Sequence, residues 1–241
     1  MGDRRAWGVL GVAMWSLFAV AGQAEAQEAA VRTHDGLYLQ LTGGLGYAST
    51  SGITGQVFVD DVREKFDRSV SGLTLDTSIM VGAEATTGLT LGLGFVLGYL
   101  PSPAVTPSKL DVGDEGMPDV IALPNPKSHV FAALGVFADY YLDPAGGLHF
   151  QGFAGLGGLE PTSEPPTEIT SDPTAVPTPG RPPEETESVG LVLSVAGGYD
   201  VWISDDLSVG AMLRFAVGAM SNNGIDGTTF APTLLANITY N

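Results

Sequence analysis

The sequence predicts an all-β fold: an eight-stranded antiparallel up-and-down barrel that crosses a membrane with its strands. Three observations carry this. Eight segments alternate apolar with small or polar residues at period two, the spacing at which strand side chains point to opposite faces. None of the apolar faces carries a charge, and the five charges within these segments, Asp76, Glu84, Asp139, Asp200 and Arg214, all fall on the other face. The connections between segments alternate strictly between short and long.

The first segment, Gly36 to Ala48, places Leu37, Leu39, Leu41, Leu45 and Tyr47 on one face. The second, Gly72 to Glu84, does the same with Leu73, Leu75, Ile79 and Val81. In the third, Leu89, Leu91, Leu93, Phe95, Leu97 and Tyr99 alternate with Thr90, Gly92, Gly94, Val96 and Gly98. The fourth runs from His129 to Leu142, and the fifth, Leu148 to Gly158, is rich in glycine. The sixth, Val189 to Trp202, the seventh, Leu207 to Ala219, and the eighth, Thr229 to Tyr240, restore the regular alternation. A soluble sandwich would turn a face crowded with Lys, Glu and Thr to water. Here the second face is Gly, Ser, Thr and Ala with a few aromatics, which suits the inside of a narrow barrel whose outside meets lipid.

Thr86-Thr87-Gly88, Asp143 to Gly147 and Ile203 to Asp206 are tight-turn sequences. Between them lie longer stretches, Ser49 to Ser71, Pro101 to Ser128 and Leu159 to Ser188, and a shorter last one, Met220 to Thr228. Short turns therefore gather at one end and loops at the other, the asymmetry of short periplasmic turns and long extracellular loops. An even strand number then puts both the N- and the C-terminus on the periplasmic side. Tyr140, Phe150, Tyr199, Trp202 and Tyr240 fall near one rim and Tyr47 and Tyr99 near the other, as interfacial aromatics do.

The N-terminus is read separately. Arg4 and Arg5 precede an apolar run from Trp7 to Ala21, and Ala24-Glu25-Ala26 offers small residues for a signal peptidase. Residues 1–26 are expected to be a signal peptide and 27–241 an outer-membrane barrel domain. There is no cysteine, so disulfides, thiolate metal sites and a lipoprotein anchor are excluded. With 27 acidic against 10 basic residues and a net charge of −17, nucleic acid is not an expected partner. Sixteen of the 25 acidic residues after the signal fall in the four long connections, so charge and apolar surface are kept apart. The stretch 159–188, acidic and rich in Pro and Thr, cannot bury enough apolar surface to order itself and is expected to be a disordered extracellular loop, nicked first near Arg181. Within the first loop, Gly55 to Val59 alternates weakly and would extend the first strand beyond the membrane.

In its export signal, eight alternating strands, alternating loop lengths and final strand Leu234-Leu-Ala-Asn-Ile-Thr-Tyr240, the chain resembles the small eight-stranded outer-membrane barrels of the OmpA and OmpX type. The resemblance covers the whole mature chain and is architectural. It implies a bacterial outer-membrane location, contact with membrane lipid and lipopolysaccharide, and recognition of the last strand by the barrel assembly machinery. Asn241 follows the aromatic that would normally be last. A monomer is expected, with the loops free for an extracellular partner.

No catalytic constellation, cofactor motif or metal-site spacing is found, and none is assigned. Ser128 and His129 stand at the outer rim, but adjacent strand residues diverge, so a nucleophile and its base would not meet. Asp111, Asp114, Glu115 and Asp119, with Asp60 and Asp61 second, lack calcium-loop spacing and read as solvated loop charge. The informative set is interior. Arg214 is the one basic residue on the inner face, and a lumenal charge needs a partner or water. Asp76, nearer its level, is the expected partner in a structural ion pair, with Asp200 the alternative; Glu84, Asp139 and Asp200 sit close to the periplasmic mouth, where water would reach them. Three functions follow: a non-catalytic structural or surface-display protein; a small pore or hydrophobic-ligand transport barrel, favoured by inner glycines (Gly44, Gly46, Gly92, Gly94, Gly98, Gly155 and Gly157) that leave volume unfilled; and a lipid-modifying outer-membrane enzyme.

Overall fold

The computed structural model describes residues 36–59, 62–106, 109–111, 120–122, 128–143, 145–162, 188–222 and 225–241. The expected signal peptide, Asp60, Asp61, Asp114, Glu115, Asp119 and Arg181 lie outside the described residues, as does 163–187 of the expected disordered loop. No described helix is long and apolar enough to cross a membrane.

Eight long strands are present: β1 (Leu37–Val59), β2 (Val62–Thr86), β3 (Leu89–Leu100), β7 (Ser128–Tyr141), β8 (Leu148–Thr162), β9 (Ser188–Trp202), β10 (Leu207–Asn222) and β11 (Ile225–Tyr240). Each pairs antiparallel with its neighbours in chain order, and β1 pairs with both β2 and β11, which closes the sheet into a barrel. Closure leaves no edge strand around the barrel and satisfies the backbone within the wall, the condition for strands in lipid. Three short strands lie between β3 and β7 in the chain: β4 (Ala104–Thr106), which adds to β2, and β5 (Lys109–Asp111) with β6 (Val120–Ala122), which pair with each other in a separate two-stranded sheet.

The hairpin turns follow from local chemistry. Gly88 adopts φ 78°, and its N–H donates to Glu84 Oε1 at 3.1 Å. Asp143 folds the next turn by accepting from Ala145 N–H through its side chain and from Gly146 N–H through its carbonyl. Gly147 then lies against the Asp200 carbonyl so closely that a Cβ would collide with it.

The outer ends of the strands depart from expectation. The stretch Ser49 to Ser71 is a hairpin rather than a loop, because β1 and β2 stay paired from Leu37↔Ala83 out to Val59↔Val62. A bulge at Gly52, with φ 78°, shifts the register between Thr50 and Ile53 where the hairpin leaves the barrel. Likewise 159–162 continues β8 against β7, so the expected disorder of 159–188 does not apply to its first four residues, nor to Ser188, which opens β9. Extension by an existing partner strand costs little, so weakly alternating sequence can be carried along. β3, by contrast, stops before Pro101, which cannot donate to a ladder.

The two faces have opposite polarity to a soluble protein. Leu45, Leu73, Leu93, Leu134, Leu156 and Val195 are exposed, each by more than half of its surface, whereas Gln40, Asp139, His149 and Thr239 are fully buried. The core lies inside the barrel: Tyr38, Met80, Val96, Phe137, Tyr141, Phe153 and Val192 form one cluster, with Ala196, Met212 and Leu235 forming another. The inner glycines do not leave the lumen unfilled. A Cβ on Gly92 would meet the Phe137 ring at 2.7 Å, one on Gly155 the Phe153 ring at 2.8 Å, and one on Gly94 the Met80 sulfur. Glycine here is the space into which large side chains from other strands fit.

Candidate functional site

Near the end of the barrel that holds the C-terminus, β7, β8 and β9 bring three ionisable groups together. The register Asp139↔Gln151 and Leu148↔Tyr199 sets Asp139, His149 and Asp200 at neighbouring heights, and strand parity points all three inward. His149 Nδ1 lies 2.9 Å from Asp139 Oδ1, and its Nε2 lies 3.5 Å from Asp200 Oδ1 without forming a hydrogen bond. With a carboxylate facing each ring nitrogen, the doubly protonated imidazolium is the form that both acids stabilise.

The carboxylates are held from other strands. Tyr38 donates to Asp139 Oδ2 at 2.7 Å, and Gln151 donates to the same oxygen at 3.2 Å and to Gln40 at 2.9 Å. Asp200 accepts from Asn237 at 2.7 Å, from Tyr141 at 3.1 Å and from Ser208 at 3.4 Å. The Tyr141 ring stacks on His149 at 4.8 Å between centroids. Asp139 and Asp200 are thus not reached by water, as their height alone suggested: they are buried under the two tyrosines. Six of the eight barrel strands, all but β2 and β3, supply at least one of these groups, so the layer ties the barrel wall across its lumen.

Chemically the layer is poorly arranged for nucleophilic catalysis. The hydroxyl of Ser208 donates to Asp200, not to His149, and Ser208 and His149 are fully buried. His149 is the second residue of the fifth alternating segment, Leu148 to Gly158, and its inward parity, shared with Asp139 and Asp200 at the same end, was the signal available in the sequence.

Arg214 sits higher. Its expected alternative partner, Asp200, belongs to the histidine layer instead. Arg214 and Asp76 line one cavity of ≈ 40 Å³, and Asp76 is the acidic group whose charge acts on the guanidinium. Asp76 Oδ2 accepts from Thr233 at 2.6 Å and from Thr74 at 2.9 Å. Among the described residues, the guanidinium's hydrogen bond is from Nη1 to Ser78 Oγ at 3.5 Å, and its Nε has no partner. Ser128 and His129 are both buried at the start of β7, and His129 lines the same cavity. Among the described residues, no group of three His, Cys, Asp or Glu side chains is placed to hold a metal ion.

No protein-family model matches the chain, and no curated protein matches its sequence. Among solved structures, Neisserial surface protein A is similar, with 12% identity, a TM-score of 0.45, and coverage of 86% of this chain and 97% of that one. OprG from Pseudomonas aeruginosa has 9% identity, a TM-score of 0.39, and coverage of 87% and 98%. The attachment invasion locus protein Ail of Yersinia pestis has 10% identity, a TM-score of 0.35, and coverage of 86% and 99%. The strand order and the polarity of its two faces define this chain's architecture. Eight antiparallel strands closed from β1 to β11, apolar outside and polar or tightly packed within, make it a small eight-stranded up-and-down β-barrel.

Proposed function

We propose that this chain is an integral protein of a bacterial outer membrane that anchors and displays its outer segments at the cell surface, without catalysis and without conducting. The exterior supports the membrane half of this reading. A continuous belt of exposed Leu, Val, Ile and Phe exceeds what a water-soluble monomer leaves uncovered. The start of β1 at Leu37 and the end of β11 at Tyr240 lie at the end with the three tight turns, which matches termini on the periplasmic side. β11 ends with Tyr240 against Leu39, as a last strand read by the assembly machinery would, and lipid with lipopolysaccharide would surround the belt. Closure within one chain leaves a monomer sufficient, and β1–β2 projects beyond the wall toward any extracellular partner.

The observation that carries the non-conducting role is the filled lumen. Tyr38, Tyr141 and His149 are buried across one level, with Met80, Phe137 and Phe153 packed above them. An eight-stranded barrel has an interior just wide enough for such side chains. The test is single-channel recording of the mature chain in planar bilayers. Stable insertion without discrete current steps is expected, and reproducible steps of one size would overturn the reading.

A further inference from the structure

The wall of the barrel has no free strand edge, but the hairpin that rises from it does. Inside the wall β1 is paired on both sides, with β2 and with β11. The pairing with β11 ends at Ser51↔Thr228, whereas the pairing with β2 goes on from Ile53↔Arg68 to Val59↔Val62. Gly52 makes the break, because its positive φ and the bulge there turn β1 out of the wall. Gly227 of β11 still flanks β1 at this point, where a Cβ would meet the Ser51 carbonyl at 3.4 Å. The β10–β11 hairpin then stops at the Asn222↔Ile225 pair, while β1 continues to Val59. On the far side of the hairpin β4 pairs with β2 at Ser69 to Ser71. Among the described residues, no strand pairs with Ile53 to Val59 or with Val62 to Arg68 from outside the hairpin.

The two edges differ in sequence. β2 carries Arg63, Glu64, Lys65, Asp67 and Arg68 within its free stretch, and charges on an edge, lysine above all, keep other strands away. β1 reads Ile53-Thr-Gly-Gln-Val-Phe-Val59, without a charge or a proline and rich in β-branched residues. That is the composition of a strand that accepts another. We propose that the free edge of β1, Ile53 to Val59, is a docking site for an extended, basic segment of another protein, which adds to the hairpin as a third strand. Backbone hydrogen bonds of the new ladder hold the segment. Charge sets its kind: the four outer connections hold sixteen acidic residues and six basic ones, so a cationic segment is drawn in and an anionic one repelled. A second copy of this chain in the same membrane fits poorly. Its hairpin leaves the membrane in the same direction and could pair only in parallel, and its outer connections carry the same negative charge. The site rests on the display reading above, which puts the hairpin outside the cell.

The test uses the full mature chain in lipid nanodiscs, with backbone hydrogen exchange read by mass spectrometry. The probe is a synthetic peptide of alternating Thr and Val flanked by pairs of Lys. A second peptide has Glu in place of Lys. Two more lysine peptides carry N-methyl groups on every other backbone amide, in one register or the other. The lysine peptide should slow exchange within Ile53 to Val59 by about tenfold or more, with less effect on Val62 to Arg68. It should half-saturate about tenfold or more below the glutamate peptide at low salt. One N-methyl register should abolish the protection and the other should keep it, because successive residues of a strand offer their hydrogen bonds to opposite edges. No protection by the lysine peptide, protection centred on β2, or full protection of Ile53 to Val59 before any peptide is added would overturn the site. Equal binding of both N-methyl peptides would show attraction by charge alone and overturn the ladder, and a glutamate peptide that binds as tightly would overturn the basic class. Both faces of a nanodisc are open to the peptide, so this result stands apart from the topology in cells, which the display reading requires.

Discussion

His149 Nδ1 and Asp139 Oδ1 stand 2.9 Å apart with both side chains fully buried, and Asp200 faces the opposite ring nitrogen. Each ring nitrogen thereby faces a buried carboxylate, an arrangement that favours the imidazolium form.

His149→Ala removes that charge and leaves two acids stranded. Breaking a buried ion pair in this way costs ~3–5 kcal/mol, more than the loss of the ring's packing on Tyr141 alone. Urea unfolding in detergent should show the loss. Asp139→Asn combined with His149→Ala should be less harmful than the sum of the single changes, by ~1–3 kcal/mol. Strict additivity would mean that the two groups do not act as a pair.

Arg214 and Asp76 face one cavity, and their coupling is expected to be electrostatic across it. Arg214→Ala should lower the unfolding midpoint, and adding Asp76→Ala should recover part of the loss. Asp76 is only half-buried and is bonded to two threonines, so the single cost should lie at or below the ~3–5 kcal/mol of a fully buried pair. A double-mutant cycle with no interaction energy would sink the pairing.

Phe137 occupies the space that Gly92 and Gly82 leave open. A side chain at residue 92 must push that ring or the facing β2 backbone aside. Gly92→Val should therefore cost ~1–3 kcal/mol, as overpacking does, and Phe137→Ala in the same chain should relieve part of it. Thermal melts of the four proteins in one detergent decide this; a harmless Gly92→Val would show that the lumen is looser than its packing indicates.

An apolar exterior cannot fold in water. The mature chain should refold from urea only when detergent or lipid is supplied, and should migrate differently on gels before and after boiling. A folded, monodisperse monomer in plain buffer would remove the membrane assignment.

Much of this architecture was legible because strand parity is a strict code. Leu93 outward obliges Gly92 and Gly94 inward, and the same count put Arg214, Asp76, Asp139 and Asp200 inside. Register between strands is not written in any one strand, and the histidine layer depends on it: Asp139, His149 and Asp200 meet only because β7, β8 and β9 pair as they do. The β1–β2 extension was half visible in Gly55 to Val59, while charged residues such as Arg63, Lys65 and Asp67 resemble a loop until a partner strand holds their backbone. The inner glycines misled, since a missing side chain says nothing about which distant ring moves into its place.

The closing seam has a kinetic consequence. β10 and β11 are neighbours in the chain, and their pairing needs only a tight connection, whereas Leu39↔Tyr240 joins residues two hundred apart. Loop-closure entropy makes that contact the slow one. The ladder there also skips Tyr47 and Ala48, opposite Pro232 and Ala231, so zipping from the termini outward must cross a gap before it resumes at Ser49↔Phe230. Refolding should therefore proceed through an open sheet of adjacent hairpins, with the last strand meeting the first as the rate-limiting event.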